Sequence, residues 1–371
     1  MMLLTLYIHF IYYRDRQMRK ITQLTEIVKY IYFISGLNPL KLYNSFSEFF
    51  IYYNKRRFSP EEILLYNMLS KHNTCRYKKN IYSNEEYLSL QKKLNPASFV
   101  QMTESKTYFY KLCEQKGIPT PKVLFYINKE SSSNTRKQIV NHVKYQLNAL
   151  PDGNFIVKPS SGTHGKGIFF FSKKADEFQI IGAKTFTLDS FTYHLGALCY
   201  LHDYIIQERI TNHTDILSFA PSDALQTLRV NSLIIDEECS IIFCLFKQAG
   251  YGQLVDNFNM GQNKSTLWVV DLKTGQLVQG YQINENGYGH KEALNFKKNI
   301  CLPFWSETLE LVRNASKKFL PLRTVGWDVA ITNKGPIIIE GNCFFDPASS
   351  IEGYDQENIY QQLKKQVPPH V

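Results

Sequence analysis

Two carboxylates and an amide are brought together by a short hairpin late in the chain. Trp327-Asp-Val-Ala-Ile-Thr332 and Pro336-Ile-Ile-Ile-Glu340 read as strands joined by Asn333-Lys334-Gly335. Pairing symmetrically about Lys334 sets Asp328 directly opposite Glu340. Strand residues two apart share a face, so Asn342 joins them. Two carboxylates facing each other across a ladder repel, unless one is protonated or a cation sits between them. Two carboxylates and an amide oxygen are hard ligands, suited to Mg²⁺ that bridges phosphate groups. An exposed edge with tolerated repulsion is the other reading. The apolar neighbours Val329 and Ile337 to Ile339 favour a half-buried sheet, and with it the metal.

A second group lies in Val157-Lys-Pro-Ser-Ser-Gly-Thr-His-Gly-Lys-Gly167. A strand delivers Lys158, and a loop with Gly162, Gly165 and Gly167 turns back into an apolar strand. Glycines let backbone amides approach phosphate oxygens, the hydroxyls of Ser160, Ser161 and Thr163 add donors, and Lys158 adds charge. The spacing is not that of a Walker A loop, and a strand rather than a helix follows. Taken alone, such a hairpin can be a plain turn, and His164 a surface histidine. A third group, Thr227, Arg229 and Asn231, alternates along one strand face. Arg229 on a sheet suits a phosphate or a charged intermediate, or equally a structural ion pair. Lys247, after the apolar run Ile241–Phe246, carries the same two readings.

The elements that must hold these residues change character along the chain. From Ile21 to about Leu94 the apolar residues fall at helical spacing, as in Leu24, Ile27, Val28 and Ile31. Ser59-Pro60-Glu61-Glu62 reads as a helix start, with Ser59 as cap and acids in the first turn. Lys106 to Lys116 is helical and stops at Gly117. After Pro151 short β-rich runs alternate with helical stretches near Phe191–Leu201, Ser306–Phe319 and Gln356–Gln366. That mixture predicts an α+β architecture. The expected division is a helical, basic region over 1–100, a small subdomain with the glycine loop over 101–205, and a larger subdomain with the metal and acceptor sites over 206–371.

Composition narrows the class. With 371 residues, 44% hydrophobic and 14% aromatic, the chain can build real cores and is not globally disordered. Its seven cysteines contain no CxxC pair, which argues against a disulfide framework or zinc ribbon and for a reducing, cytoplasmic compartment. Of the net charge of +10, residues 1–100 carry +8. A basic, Tyr- and Phe-rich region can face an anionic membrane or polymer, or simply be a solvated helical surface. No zinc-finger spacing or RNA-binding signature supports a nucleic-acid partner. Met1–Tyr13 is uncharged and is followed by Arg14, Arg16, Arg19 and Lys20. The order is wrong for a secretory signal, and the run is too short to span a bilayer. It could lie at the inner face of an anionic membrane, or pack as a first helix on its own domain.

Taken together, these segments resemble the ATP-grasp superfamily over roughly Met102–Asp346. The order is a helix with Lys106, the Lys158 strand and glycine loop, Gln207-Glu208-Arg209-Ile210, Arg229, then Asp328 and Glu340-Gly-Asn342. Arg57-Phe-Ser-Pro-Glu-Glu62, Gly117-Ile-Pro-Thr-Pro121, Val255-Asp-Asn-Phe258 and Gly326-Trp-Asp-Val-Ala-Ile-Thr332 are similar to the branch associated with sugar transfer and surface-polysaccharide synthesis. The resemblance implies two α/β subdomains clasping ATP. It implies that Lys106 and Lys158 hold phosphates under a loop of Ser161, Gly162, Thr163, His164 and Gly165, and that Gln207 to Ile210 border the adenine. Asp328, Glu340 and Asn342 would carry Mg²⁺, and Arg229 would steady an acyl phosphate. The ribose-binding acid has no clean match, with Asp215 and His213 as candidates. The activity implied is a carboxylate–amine ligase joining an amino acid to a sugar, a uronic acid or an amino sugar, whether a free small molecule or lipid- or nucleotide-linked. A kinase or a non-catalytic nucleotide-binding subunit on the same scaffold are the alternatives.

Overall fold

A computed structural model describes residues 22–65, 68–69, 81–127, 136–162, 167–182, 185–256, 265–283, 291–294, 299–346 and 356–367. Contacts divide the chain into two compact units, one of residues 1–90, 283–292 and 346–367, the other of 91–282, 293–345 and 368–371. The Met1–Lys20 segment, and with it the expectation of membrane contact there, lies outside the described residues. Among the described residues, no helix is long and apolar enough to cross a membrane.

The first unit is helical, as the 3.6-residue spacing predicts. A helix over 22–35 and the helix Pro39–Phe50 bury Ile27, Tyr30, Ile31 and Phe49 against Phe58, Ile63 and Ile81. Ser59 does cap its helix: Glu62 N–H donates to Ser59 Oγ, and Ser59 N–H donates to Glu62 Oε2, a reciprocal capping box. The helix Gln356–Lys365 returns to this unit, where Tyr360 stacks on Tyr82 with ring centroids 3.7 Å apart.

The second unit holds two antiparallel sheets. The strands are β1 (Val123–Ile127), β2 (Gly153–Pro159), β3 (Phe169–Lys174), β4 (Glu177–Ile180), β5 (Thr185–Thr187), β6 (Tyr204–Glu208), β7 (Thr227–Ile235), β8 (Glu238–Gln248), β9 (Thr266–Val270), β10 (Leu277–Ile283), β11 (Lys291–Leu294), β12 (Thr324–Thr332) and β13 (Gly335–Asn342). The first sheet runs β1-β6-β2-β3-β4-β5, the second β11-β10-β9-β8-β7-β12-β13.

Each sheet has one apolar face on helices, and the alternation of its strands decides what the other face carries. In the first sheet Phe155, Val157, Phe171 and Ile206 pack on the helices Arg136–Ala149 and Leu188–Leu201. Their neighbours Ile156, Lys158, Phe170 and Gln207 are left for the opposite side. In the second sheet Leu228, Val230, Trp327, Val329 and Ile338 join one core with the helix Trp305–Lys318. The ring of Phe319 meets Trp327 edge-on at 5.1 Å, and the Trp327 indole N–H reaches Ser232 Oγ and Ser316 Oγ, both at 3.0 Å. A buried indole whose donor is satisfied fixes which side of β12 is core. Asp328 is thereby committed to the other.

The β12–β13 hairpin differs from the symmetric pairing. Thr332 pairs with Gly335, so Asn333-Lys334 is a two-residue turn and Gly335, at φ 111°, opens β13. That shorter turn alone would set Asp328 against Ile339. A bulge between Asp328 and Val329 shifts the register by one residue, and Asp328 does face Glu340, with Gly326 opposite Asn342. Ile339 is the extra residue.

Candidate active site

A cleft is lined by residues of both sheets. Its lining combines the apolar Ile156, Ile168, Phe170, Ile210, Leu225, Leu254 and Val255 with the charged Lys106, Lys158, Glu208, Arg209, Lys247, Asp256, Asp328 and Glu340. Gln207 lines it too.

The charged cluster is built by register. Arg229 on β7 pairs with Asp328 on β12, and Thr227 with Lys247 on β8. Arg229 grips Asp328 in bidentate fashion, Nε to Oδ1 at 2.6 Å and Nη2 to Oδ2 at 3.2 Å. The Lys247 ammonium lies 3.3 Å from Asp328 Oδ2 and 3.6 Å from Asp256 Oδ2. Desolvation would push the Asp328 carboxyl up, but Arg229 and Lys247 prevail and hold it below its ordinary range. Arg229 loses hydration too, and Asp328 keeps its guanidinium firmly charged. At Asp256 burial wins: its pKa is raised although Lys247 and the Thr227 donors oppose this, with Asp328's negative charge adding to the rise. Repulsion across the ladder is thus relieved by protein cations on each carboxylate.

Lys106 and Lys158 approach from the other direction. Ser105 caps the helix Lys106–Gln115 through Tyr108 N–H, so Lys106 is its first residue. Its ammonium sits 2.9 Å from Glu340 Oε1 and donates to Gly162 O at 3.1 Å. One turn on, Tyr110 O–H donates to Ile339 O at 2.6 Å, the carbonyl of the bulged residue. The same helix face therefore holds both the bulge and the carboxylate that it positions. The Lys106 N–H donates to Ser160 O at 2.8 Å, and Ser160 Oγ donates to Thr107 Oγ1 at 2.8 Å. Ser160 is buried and ties the end of β2 to that helix. Lys158 is buried with the Tyr110 ring 6.0 Å away, and it makes no ion pair among the described residues. Desolvation brings its pKa down to about 8, with Lys106 adding to the fall while Glu340 and Asp256 oppose it.

Of the remaining predicted residues, Gln207, Glu208, Arg209 and Ile210 all line the cleft. Glu208 Oε1 accepts Lys122 N–H at 2.9 Å, and Arg209 lies over the Phe170 ring at 5.2 Å while donating to Asp223 O. The Gln207 Oε1 atom is buried with no hydrogen-bond partner among the described residues. Asn342 Nδ2 reaches Gly326 O at 3.4 Å, outside the cleft lining. Asp215 is exposed at the start of the short helix Thr214–Phe219, where His213 Nδ1 accepts its N–H, and neither residue lines the cleft. Ser161 and Gly162 end the described stretch before Thr163, His164 and Gly165, which lie outside the described residues. Asp256 was not among the predicted site residues. It accepts Thr227 N–H at 2.8 Å and Thr227 Oγ1–H at 2.5 Å. The signal for it was present in Val255-Asp-Asn-Phe258, a segment that matched a pattern but showed no partner.

Residues 84–365 match the family described as sugar-transfer associated ATP-grasp. Among curated proteins no match was found. Solved structures similar to this chain include the VanG D-Ala:D-Ser ligase of Enterococcus faecalis, 13% identical, covering 71% of this chain and 62% of that one, with TM-score 0.41. D-alanyl-alanine synthetase A of Vibrio cholerae is 10% identical, covering 72% and 65%, also with TM-score 0.41. The ATP-grasp ligase PsnB, complexed with minimal precursor, is 14% identical, covering 74% and 64%, with TM-score 0.36. The chain spans less than two thirds of each of these proteins' own length.

Proposed function

The chain belongs to the sugar-transfer associated ATP-grasp family, and from that premise we propose that it is an ATP-dependent ligase joining a carboxylate to an amine. The observation that carries this reading is one cleft lined by Lys106, Lys158 and Lys247 together with Asp256, Asp328 and Glu340 and by apolar side chains, with Arg229 held on Asp328 at 2.6 Å. Lys158, buried and with no ion pair among the described residues, is the lining cation left for an anionic ligand, which suits a polyphosphate. The apolar lining suits a purine, and the unpartnered Gln207 Oε1 offers its edge an acceptor.

In this reading Lys106 and Lys158 hold the phosphates. The donor set fits Mg²⁺: Asp328 and Glu340 face each other and are hard oxygen ligands, a pair such as Mg²⁺ shares with substrate phosphates. The ion, when bound, supplies neutralisation of phosphate charge. A carboxylate oxygen of the acceptor attacks the γ-phosphorus, ADP departs, and the acyl phosphate forms. An amine nitrogen then attacks the acyl carbon, phosphate leaves, and the nitrogen gives up a proton to yield the amide. Arg229 and Lys247 supply fixed positive charge for the phosphoryl group and the tetrahedral oxyanion, and no covalent nucleophile is required of the protein. The family's association with sugar transfer supports a sugar as one partner, which we take to be a sugar acid or an amino sugar, with an amino acid as the other, in surface-polysaccharide assembly.

Hydroxylamine tests the reaction type. Purified protein with Mg-ATP and a panel of sugar acids and amino acids should form a hydroxamate from the activated acid, with ADP and phosphate in equal amounts. Arg229→Ala should lose it. A stable phosphate ester, with no hydroxamate from any acid, would make the protein a kinase instead.

A further inference from the structure

Asp256, Asp328 and Glu340 all line the cleft, and the ligase reading gives work to two of them. Asp328 and Glu340 form the metal pair, each with protein cations on it: Arg229 and Lys247 on Asp328, Lys106 on Glu340. Asp256 is held differently, with all of its described contacts on one oxygen. Its Oδ2 accepts Thr227 N–H at 2.8 Å and Thr227 Oγ1–H at 2.5 Å, and the Lys247 ammonium stands 3.6 Å from it. Its Oδ1 has no hydrogen bond or ion pair among the described residues, and the side chain keeps 14% exposure in the cleft lining.

Strand order decides what this carboxylate stands beside. Across β13, β12 and β7 the register runs Glu340, Asp328, Arg229, and on β8 Lys247 pairs with Thr227. Glu340 with Lys106 therefore flanks Asp328 on one side, and Lys247 with Asp256 on the other. One ammonium, that of Lys247, reaches both Asp256 and Asp328. Whatever binds Asp256 thus sits beside the fixed charges that steady the acyl phosphate in the ligase reading. Burial raises the Asp256 carboxyl although Lys247 and the Thr227 donors oppose it, so the protein's own cations fall short of what desolvation costs this group. A further cation at Oδ1 makes up the difference, and the surroundings select its kind. Mg²⁺ asks for several oxygen ligands, and Asp256 offers one. A divalent ion would also feel double the repulsion from Lys247 and Arg229 that a single charge feels. An ammonium brings one charge and its own N–H donors.

We propose that Asp256 receives the amine substrate as its ammonium, through Oδ1. The inference rests on the ligase reading and names the class of amine within it. That class is a basic primary amine, the α-amino group of an amino acid or the amine of an amino sugar, and not an uncharged nitrogen or a hydroxyl.

Hydroxylamine, uncharged at neutral pH, separates acid activation from amine binding. Full-length protein with Mg-ATP is given each acid that it converts to a hydroxamate, and hydroxylamine is set against a panel of amino acids and amino sugars that carry an ammonium. At least one of the panel should yield an amide with the parent protein. Asp256→Asn can still accept the Thr227 donors but sets an amide nitrogen in place of Oδ1. Its amide-to-hydroxamate ratio should fall at least about tenfold, through a higher KM for the amine. Asp256→Ser, read in the same way, keeps the outcome from resting on the folding of one variant, and Asp256→Glu should recover part of the ratio. Equal loss of amide and hydroxamate would make Asp256 a positioning residue for Lys247. A higher Mg²⁺ requirement with an unmoved KM for the amine would give Oδ1 to a metal ion. Either result overturns the proposal, as does a parent that forms hydroxamates but no amide with any amine of the panel. A parent that forms no hydroxamate overturns the ligase reading, and this inference with it.

Discussion

Each sheet carries a cation that loses hydration, and the two behave in opposite ways. Lys158 comes from the first sheet, which also lines the cleft with Ile156, Phe170, Gln207 and Glu208. It has no ion-pair partner among the described residues, and desolvation depresses its pKa to about 8. Arg229 comes from the second sheet, where the neighbouring strand lays Asp328 beside it at 2.6 Å, and its guanidinium is held charged. Burial is similar. What differs is whether the next strand in register offers a carboxylate. One sheet supplies a cation waiting for an anionic ligand, and the other a cation already neutralised and fixed in place.

The largest expected effect comes from breaking the neutralised side. Asp328→Asn leaves Arg229 and Lys247 buried without their main counter-charge, so ATP turnover should fall at least about a thousandfold and unfolding free energy by about 3 kcal/mol. Urea unfolding and ADP release measure the two. Loss of activity with unchanged stability would mean that the pair is less buried than described.

Lys158→Met sharpens the contrast. Replacing a desolvated, unpaired ammonium by a thioether of similar length should leave the melting temperature unchanged or raise it, while ATP binding weakens at least about a hundredfold. A drop of several degrees would show that Lys158 has a structural partner.

Protonation offers a finer handle. Since the Lys158 pKa is depressed, the folded protein binds fewer protons than the unfolded chain between pH 8 and the ordinary lysine value. Its share of stability therefore rises with pH across that window. Ligand affinity runs the other way: a phosphate favours the ammonium, so nucleotide affinity should fall by up to about tenfold per unit above pH 8. Calorimetric titration in buffers of different ionisation enthalpy should detect proton uptake on binding near that pH. Flat affinity up to pH 10 would remove Lys158 from the phosphate site.

The smallest effect is expected at the bulge. Tyr110→Phe removes the donor to Ile339 O and should cost about 1 kcal/mol of stability. Through Glu340 it should reduce turnover about three- to tenfold, with a higher Mg²⁺ requirement as the distinguishing readout. Turnover lowered without any change in Mg²⁺ requirement would separate the tyrosine from the carboxylate.

Much of this was legible along the chain, for stated reasons. Alternation in Thr227-Leu-Arg-Val-Asn231 assigns Arg229 a face, and the same period assigns Asp328 and Trp327 to opposite ones. Helix punctuation at Ser59 and Gly117 is local chemistry, and the structure follows it at both. The opposition of Asp328 and Glu340 also follows from counting, although by a different route. A two-residue turn and a bulge cancel to give the register that a symmetric three-residue loop would have given. Neither the bulge nor its tether is visible in sequence, because Tyr110 and Ile339 are 229 residues apart.

What the sequence determined by itself was therefore whatever depends on the nearest few residues: the type of each element, the face on which each charge lies, and the chemistry of each donor. Only the tertiary structure decided which charges met. Strand order sets Arg229 beside Asp328 and Thr227 beside Lys247, and it draws Asp256 in from a loop whose sequence shows no partner. It leaves Asp215 exposed, away from the cleft. Coulomb energy and desolvation depend on distance and on excluded water, not on separation along the chain. Three lysines therefore line one cleft with different fates: Lys106 on Glu340, Lys247 between Asp256 and Asp328, and Lys158 with none of the described carboxylates.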